Sequence, residues 1–541
     1  MMMKRVAVIG GLAACLSCGS SEELDILIQG GTLIDGTGTP GRVGDLGIKD
    51  GLMVLVQPGI SIDAKQIIDA SGLVVAPGFV DVHNHTDVFI ANRAARLNEG
   101  FIRQGVTTIV GGPDGAHTPN QIRDLIAAFE DNGVGTNVAF YVGHNGVRLQ
   151  VMQEDQRRAP TDEELAEMKA LVREGMELGA LGLSTGLMYE PGLFSNTEEV
   201  VALALEVKRF AGVYDSHIRN PVHDWIASNQ EAMTIGERAG IGAKLGHIKE
   251  VGLHNAGLVD EMIAIVDAAR AGGQNVVSDQ YPYDAAAGRL TLTSILVFTG
   301  DPRRDAEMRE DPDFDIKAKL RDPDERAQLK ETSENGVDGG FAWIKAIGYS
   351  SLRIVSSEDF PELVGKYLSE LAEERNTGGF DVLADLLLEA EHPVEVKGGI
   401  QEEAVQKLLV QPWNMIASDG GYADSATTAQ GHPRSTGTFP RVLGHYVREK
   451  KLLSLPEAIR KMTSFPADFV GLRSRGRLAE SLPADITIFD PETIIDRSTY
   501  EEPNLMPKGV VHVFVNGVAV LRDGELTEEA PGKFLPREMR R

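Results

Sequence analysis

Cysteine is nearly absent from this sequence of 541 residues: only Cys15 and Cys18 occur, both close to the N-terminus. The body of the protein therefore has neither a disulfide nor a thiolate metal ligand. Beyond the N-terminal segment no run of about 18 apolar residues occurs, which excludes a further transmembrane helix. Basic residues are in the minority, since 53 Lys and Arg face 80 Asp and Glu and leave a net charge of −27. Such an acidic chain repels phosphate backbones, so no nucleic-acid partner is expected.

The first 23 residues have the pattern of an export signal. Lys4 and Arg5 precede the apolar run 6–14, which is too short to span a bilayer as a mature helix. Leu12-Ala13-Ala14-Cys15 resembles a bacterial lipobox, in which Cys15 would be lipidated and residues 16–23 would form a polar tether. We therefore expect an exported lipoprotein, periplasmic or facing the outer membrane, whose only membrane contact is this anchor. An ordinary secretory signal and a spurious extension of a cytoplasmic enzyme are the alternatives.

The composition is that of a globular protein, with 42% hydrophobic and 25% charged residues, which excludes a disordered or fibrous chain. Residues 24–75 and 478–541 alternate apolar and polar residues between turns. Asp50-Gly51 and Asn516-Gly517 favour tight hairpins there, because these dipeptides tolerate positive φ angles. We predict one small β-sandwich built from both chain ends, flanking a central domain at residues 76–477.

The central region alternates short apolar strands with helical stretches, the pattern of a parallel α/β fold. One helix is predicted over residues 162–178, with Thr161 as its cap and Gly179 as its stop. The predicted strands cover residues 78–82, 106–110, 138–142, 180–184, 212–216, 243–246, 275–278 and 415–418. Eight strands are what a TIM-like (β/α)₈ barrel needs. The charged, helix-prone stretch 285–410 is predicted to be a helical insertion, a lid or subdomain, between strands seven and eight.

Polar residues follow these strands, at the end where the active site of such a barrel lies. His83 and His85 follow the first strand, and their spacing places both imidazoles on one side of an extended chain. In the same way Asp114 follows the second strand, His144 the third, His217 the fifth, His247 the sixth and Asp419 the eighth. Four imidazoles and one or two carboxylates at one barrel mouth predict a transition-metal site.

Each of these residues also has a structural interpretation. A lone buried histidine is more often a hydrogen-bonded core residue than a ligand, but recurrence at successive strand ends favours ligands. Asp114, beside a glycine, also fits a turn, and His144 fits a substrate contact and a structural hydrogen bond equally well. The histidines predicted to be surface or packing residues are His117, His223, His254, His392, His445 and His512.

A series of motifs runs along the chain in a fixed order. They are APGFVDVHNHTD (76–87), GVTT (105–108), LSTGLMY (183–189), SHIR (216–219), GHIK (246–249), DQYPY (279–283), PWNMIASDG (412–420) and HPR (432–434). With these motifs the sequence resembles the N-acyl-D-amino-acid deacylases (D-aminoacylases) of the amidohydrolase superfamily, from residue 25 to about residue 535. The HxH pair marks only the superfamily, whereas the later motifs in this order are typical of the deacylases.

The resemblance implies roles for individual residues. His83 and His85 would hold one metal position, and His217 and His247 the other, tighter one. Asp419 would be the catalytic carboxylate. Substrate contacts are implied for Tyr189, Lys249, and Tyr281 or Tyr283.

Asp114 departs from the family, whose members commonly have a metal-binding cysteine in a Gly-Asn-Cys-Gly stretch at this place. A carboxylate can also bind or bridge metals. Zinc is the expected ion. The sequence leaves open whether another divalent metal binds instead, and whether the site holds one ion or two.

We therefore expect a metal-dependent hydrolase of N-acyl-D-amino acids, with the D preference resting on the resemblance alone. Lys249 and Arg219 are candidates to bind the substrate carboxylate, with salt bridges to neighbouring acids as the alternative. A dipeptidase or cyclic-amide hydrolase is a second interpretation; relatives of that kind commonly use a carboxylated lysine, and Lys244 lies inside the sixth strand. A third is a catalytically dead barrel used as a binding protein, which the complete ligand set disfavours.

Overall fold

The computed structural model describes residues 23–286, 290–297, 315–337, 342–426 and 431–538. The predicted signal peptide and lipobox, with Cys15 and Cys18, lie outside these residues. Within the described part of the chain, no helix is both long and apolar enough to cross a lipid bilayer.

The centre of the molecule is built on parallel strands that are buried on both faces. All eight predicted strands are present, each within two residues of its predicted bounds: Phe79–Asp81, Val106–Gly111, Asn137–Phe140 with Val142–Gly143, Gly182–Gly186, Val213–His217, Gly242–Leu245, Val276–Gln280 and Asn414–Ile416. Short apolar runs bounded by turns made them predictable, because parallel strands covered by helices on both faces lack polar alternation.

These strands form two parallel sheets that adjoin at two places. Strands one to three form one sheet, and the end of strand three continues into a six-stranded sheet that finishes at strand eight. Tyr141 is the residue at which the third strand changes sheets. At the opposite edge Asn84 pairs with Gly420, and the Asp419 N–H donates to the His83 carbonyl at 2.9 Å. The ends of strands one and eight are thereby held together.

Helices connect and cover the strands. The predicted helix over residues 162–178 is found at Asp162–Glu177, where the Thr161 side chain and Glu164 form a reciprocal capping box. The other helices of the central region are Asp87–Ile90, Glu99–Ile102, Pro119–Asn132, His144–Met152, Thr197–Lys208, Trp225–Ala239, Val259–Ala271, Arg434–Arg441, Leu455–Met462 and Ser464–Val470, with a π-helix at Val442–Glu449 and short 3₁₀ turns at Gln153–Asp155 and Gly192–Phe194.

Strands from both chain ends form one nine-stranded sheet. They are Leu24–Leu33, Arg42–Lys49, Leu52–Gln57, Ala64–Asp69, Val74–Pro77, Ile486–Phe489, Val510–Val515, Val518–Arg522 and Glu525–Leu526. The Asp50-Gly51 turn has φ angles of 49° and 77°, and Asn516-Gly517 has 50° and 81°, so both predicted hairpins are confirmed. Ile26 and Leu46 from one end pack with Ile486 and Phe514 from the other.

The described residues of 285–410 form helices, as predicted for the insertion, together with three short strands that were not predicted. Among the described residues the helices are Leu292–Val297, Ile316–Arg321, Pro323–Asn335, Trp343–Ile347, Leu368–Arg375, Gly379–Glu389 and Glu402–Leu409, with 3₁₀ turns at Tyr349–Ser351 and Pro361–Leu363. Leu290–Thr291, Arg353–Ser356 and Glu395–Lys397 form an antiparallel sheet beside them. Strands of two to four residues are too short to show the alternation by which a strand is predicted.

Candidate active site

The carboxyl ends of the central strands open into a cavity of about 1160 Å³. Of the six predicted metal-site residues, five line this cavity: His85, Asp114, His217, His247 and Asp419. His83, the sixth, lies against them and is fully buried. The insertion closes part of the opposite wall with Trp343, Ile347 and Gly398.

The Asp114 carboxylate lies at the centre of the four imidazoles. Its Oδ1 is 3.5 Å from His83 Nε2 and 3.7 Å from His247 Nε2, and its Oδ2 is 3.6 Å from His217 Nδ1 and 3.8 Å from His85 Nε2. One oxygen thus faces one pair of rings and the other oxygen faces the second pair. The residue at which the sequence departs from the family pattern is therefore the one that touches all four histidines.

Asp419 lies on the other side of the first two histidines. Its Oδ1 is 3.1 Å from His85 Nε2 and 3.5 Å from His83 Nε2, while its Oδ2 accepts a hydrogen bond from Arg434 Nη1. Burial works to raise the pKa of Asp419, but the Arg434 guanidinium and the neighbouring imidazoles hold it well below its usual range. The Asp419 carboxylate is therefore ionised and can accept a proton.

Three of these residues have left-handed backbone conformations. The φ angle is 56° at Asp114, 36° at His247 and 51° at Asp419. Such angles are uncommon for residues other than glycine, and they persist where surrounding structure holds them, often at functional sites. Here the His247 N–H donates to Asp279, and the Asp419 N–H donates to the His83 carbonyl.

The donor atoms fit a divalent cation. Both ring nitrogens of His83 and of His217, and Asp114 Oδ1, are buried without a hydrogen-bond partner. A buried polar atom left unpaired costs about 1–3 kcal/mol, and imidazole and carboxylate are the ligands that zinc-like ions prefer. The ligand atoms lie within 4.8 Å of one another in three groups: His83, His85 and Asp114; Asp114, His217 and His247; and His83, His247 and Asp419.

The electrostatics of the centre also favour a cation. Burial and the Lys244 ammonium oppose protonation of His83, yet the carboxylates of Asp114 and Asp279 raise its pKa to about 10. The carboxylates around His83 thus favour a positive charge at this point, either a proton or a metal ion that displaces it. Burial and the Lys249 ammonium lower the pKa of His247 to about 3, which leaves the neutral imidazole that metal binding requires.

Two cations and a tyrosine lie on one wall beside this centre. Lys249 Nζ is 2.8 Å from His247 Nδ1 and 5.4 Å from the centre of the Tyr281 ring. The Arg434 guanidinium lies 4.8 Å from the same ring. The sequence motif HPR contains Arg434, but its place in the site was not predicted because no strand end precedes it.

The family profile for amidohydrolases matches residues 66–213 and 366–521, more than half of the chain. This chain belongs to the amidohydrolase family. A D-aminoacylase of Alcaligenes xylosoxydans xylosoxydans is 32% identical over 548 aligned residues, which cover 96% of this chain and 99% of that protein. The resemblance to the D-aminoacylases that the sequence motifs indicated is therefore confirmed.

Two solved structures of similar amidohydrolases cover 95% of this chain and all of their own, each at 30% identity and a TM-score of 0.73. One is the N-acyl-D-glutamate deacylase of Bordetella bronchiseptica, complexed with zinc and a phosphonate inhibitor that mimics the tetrahedral intermediate. The other is a D-aminoacylase with a binuclear metal centre, described as activated by one metal and attenuated by the second.

Tyr189 and Arg219, two more residues predicted to contact the substrate, both line the cavity of this amidohydrolase. The Tyr189 ring lies 4.5 Å from the His217 ring and faces the metal-site residues. Arg219 reaches the cavity wall, but its Nε and Nη2 each donate to the Glu231 carboxylate at 2.9 Å. For Arg219 the salt-bridge alternative thus describes the structure, and its charge is neutralised.

The structure does not bring two predicted residues to the cavity of this amidohydrolase. His144 begins a helix, is fully buried, and lies 2.9 Å from Glu199 through its Nε2. The Tyr283 phenol donates to the Pro433 carbonyl at 3.2 Å. His223, predicted to be a surface or packing residue, lines the cavity instead.

Proposed function

We propose that this protein is a metal-dependent deacylase that hydrolyses the amide bond of N-acyl-D-amino acids and releases a carboxylate and a free D-amino acid. One observation carries the proposal: the Asp114 carboxylate touches four imidazoles, with the ionised Asp419 beside them. Its full-length relatives include a D-aminoacylase. A cyclic-amide hydrolase or dipeptidase with a lysine-derived metal bridge has less support, because Lys244 is fully buried and ion-paired below the centre.

We further propose that the eight central strands form one (β/α)₈ barrel at residues 76–477, flanked by a β-sandwich from residues 24–75 and 478–541. The shared third strand and the Asn84–Gly420 bridge support this closure. Export and lipid anchoring at Cys15 remain part of the proposal on the sequence pattern.

The proposed metal is zinc, in one or two positions. His83, His85 and Asp114 would hold one ion, and Asp114, His217 and His247 the other, with Asp114 common to both groups. A bound cation of this kind supplies Lewis acidity, which lowers the pKa of water to about 7 and polarises a carbonyl.

Asp419 supplies the proton transfers. Its Oδ2 is held by Arg434, so Oδ1, which faces His83 and His85, would accept the proton of the attacking water. The same carboxyl then returns the proton to the departing nitrogen, because an amide nitrogen cannot leave as an anion.

Lys249 and Arg434 are proposed to bind the α-carboxylate of the substrate. Both cations approach the Tyr281 ring from the cavity, and two cations at one place match a carboxylate. Tyr189, whose phenol is protonated at neutral pH, would donate a hydrogen bond to the oxyanion that forms on the carbonyl.

The test is a substrate panel run with metal quantification. The purified protein is assayed with N-acetyl-D-amino acids, their L enantiomers, dipeptides and dihydropyrimidines, before and after chelation and zinc reconstitution. We expect zinc-dependent release of the D-amino acid and little turnover of the others. Full activity in protein stripped of all metal, or hydrolysis confined to cyclic amides or L-dipeptides, would reject the proposal.

A further inference from the structure

A cluster of three charged side chains lies behind the metal-site histidines and has no part in the proposed chemistry. Asp215, Lys244 and Asp279 are all fully buried. In the sheet register Asp215 pairs with Lys244, and Lys244 pairs with Val277, two residues before Asp279. Because side chains alternate along a strand, the three project from the same face of neighbouring strands.

The Lys244 ammonium joins three separate strands. Its Nζ is 3.1 Å from Asp215 Oδ1, donates to Asp279 Oδ2, and donates to the carbonyl of Val82 at 3.0 Å. Val82 directly precedes His83 in the chain. A buried charge is tolerated only when it is paired and hydrogen-bonded. The position of the Lys244 ammonium is therefore fixed by these three partners.

Asp279 connects the ammonium to two metal-site histidines. Its Oδ1 accepts the backbone N–H of His247, the residue with the left-handed φ of 36°. Its Oδ2 lies 3.7 Å from His83 Nδ1. This distance is too long for a hydrogen bond, but the carboxylate charge faces the second ring nitrogen of His83, the place from which carboxylates support metal-binding histidines.

The two acids and His83 lie so close together that they need a positive charge among them. Ligand atoms of His83, Asp215 and Asp279 lie within 4.8 Å of one another. The Lys244 ammonium lies among them and supplies the positive charge, so Asp279 keeps a fixed direction toward the histidines.

We propose that Lys244 is a positioning residue of the metal centre, whose buried ammonium fixes Asp279 behind His83 and His247 and so preorganises both histidines. The inference rests on the proposed function to the extent that these histidines bind the metal. It concerns zinc affinity, so it does not depend on which amide is hydrolysed.

The test is the zinc affinity of Lys244→Met, measured by competition with a chromogenic chelator. We expect binding weaker by about 10- to 100-fold, the usual effect of losing a residue that supports a metal ligand. Lys461→Met is the matched control. Lys461 is also fully buried, but its Nζ donates to the backbone carbonyls of Gln411 and Asn414, so it should keep wild-type affinity whatever its melting temperature.

A second variant covers the case in which Lys244→Met does not fold, since that change leaves two carboxylates without their cation. The double variant Asp215→Asn with Lys244→Met removes one acid together with the cation and should fold, with the same loss of affinity. Wild-type affinity in a folded Lys244 variant, or an equal loss in Lys461→Met, would overturn the inference. The proposed function fails by a different result, namely zinc-loaded wild type that releases no D-amino acid.

Discussion

The metal centre and the outer wall of the cavity are built in different ways. Each residue of the centre lies at the carboxyl end of a central strand or within four residues after it, and several backbone bonds between strand ends hold the group together. The outer wall comes from a loop with Arg219, a helix with Glu231, and the insertion with Trp343 and Ile347. The centre is thus fixed by the sheet, as suits chemistry that needs one geometry, whereas the wall can vary and set the choice of substrate.

The largest effect is expected from a change in the centre. Asp419→Asn keeps the size of the side chain but removes the proton acceptor, so kcat should fall by about 10²- to 10⁴-fold. Zinc content and melting temperature should stay near those of the wild type. Steady-state kinetics with metal analysis checks this, and retained turnover would remove Asp419 from the chemistry.

Asp114 gives a sharper test of the same centre. In Asp114→Ala the contact to all four imidazoles is lost, so we expect loss of an ion or zinc binding at least about tenfold weaker. Asp114→Cys is the matched variant, because it restores an anionic ligand of the type that the family commonly has at this place. Metal stoichiometry by mass spectrometry decides the point; if alanine leaves stoichiometry and affinity unchanged, Asp114 is only a turn residue.

The sequence predicted the centre better than the wall for a physical reason. Strand-end positions can be counted along the chain, so the places of His83, His217 and His247 follow from the strand pattern alone. For His144 the structural hydrogen bond, one of its two predicted roles, describes the structure, because the third strand runs directly into a helix whose first residue turns its side chain to Glu199.

The position of Arg434 in the site could not be predicted by counting residues from the strand ends. It begins a helix after the eighth strand, and its contact with Asp419 joins residues whose spacing carries no periodic signal. The short antiparallel strands of the insertion were missed for a similar reason, since Leu290–Thr291 and Glu395–Lys397 are paired only through tertiary contacts. Long-range pairing of this sort leaves no mark on local composition.

The smallest effect is expected at the cavity wall, where the substrate carboxylate would bind. This prediction distinguishes Lys249 from Arg219, which the sequence pattern offers equally as candidates to bind that carboxylate. Lys249→Met should raise KM for an N-acyl-D-amino acid by about 10- to 100-fold, because a hydrogen bond to a charged group contributes about 1.5–3 kcal/mol. The double variant Arg219→Leu with Glu231→Leu removes an ion pair that is already neutral, so KM should change by less than about threefold. Comparing KM for the two variants with that of the wild type tests the assignment, since a larger rise in the double variant would move the carboxylate site from Lys249 to the outer wall.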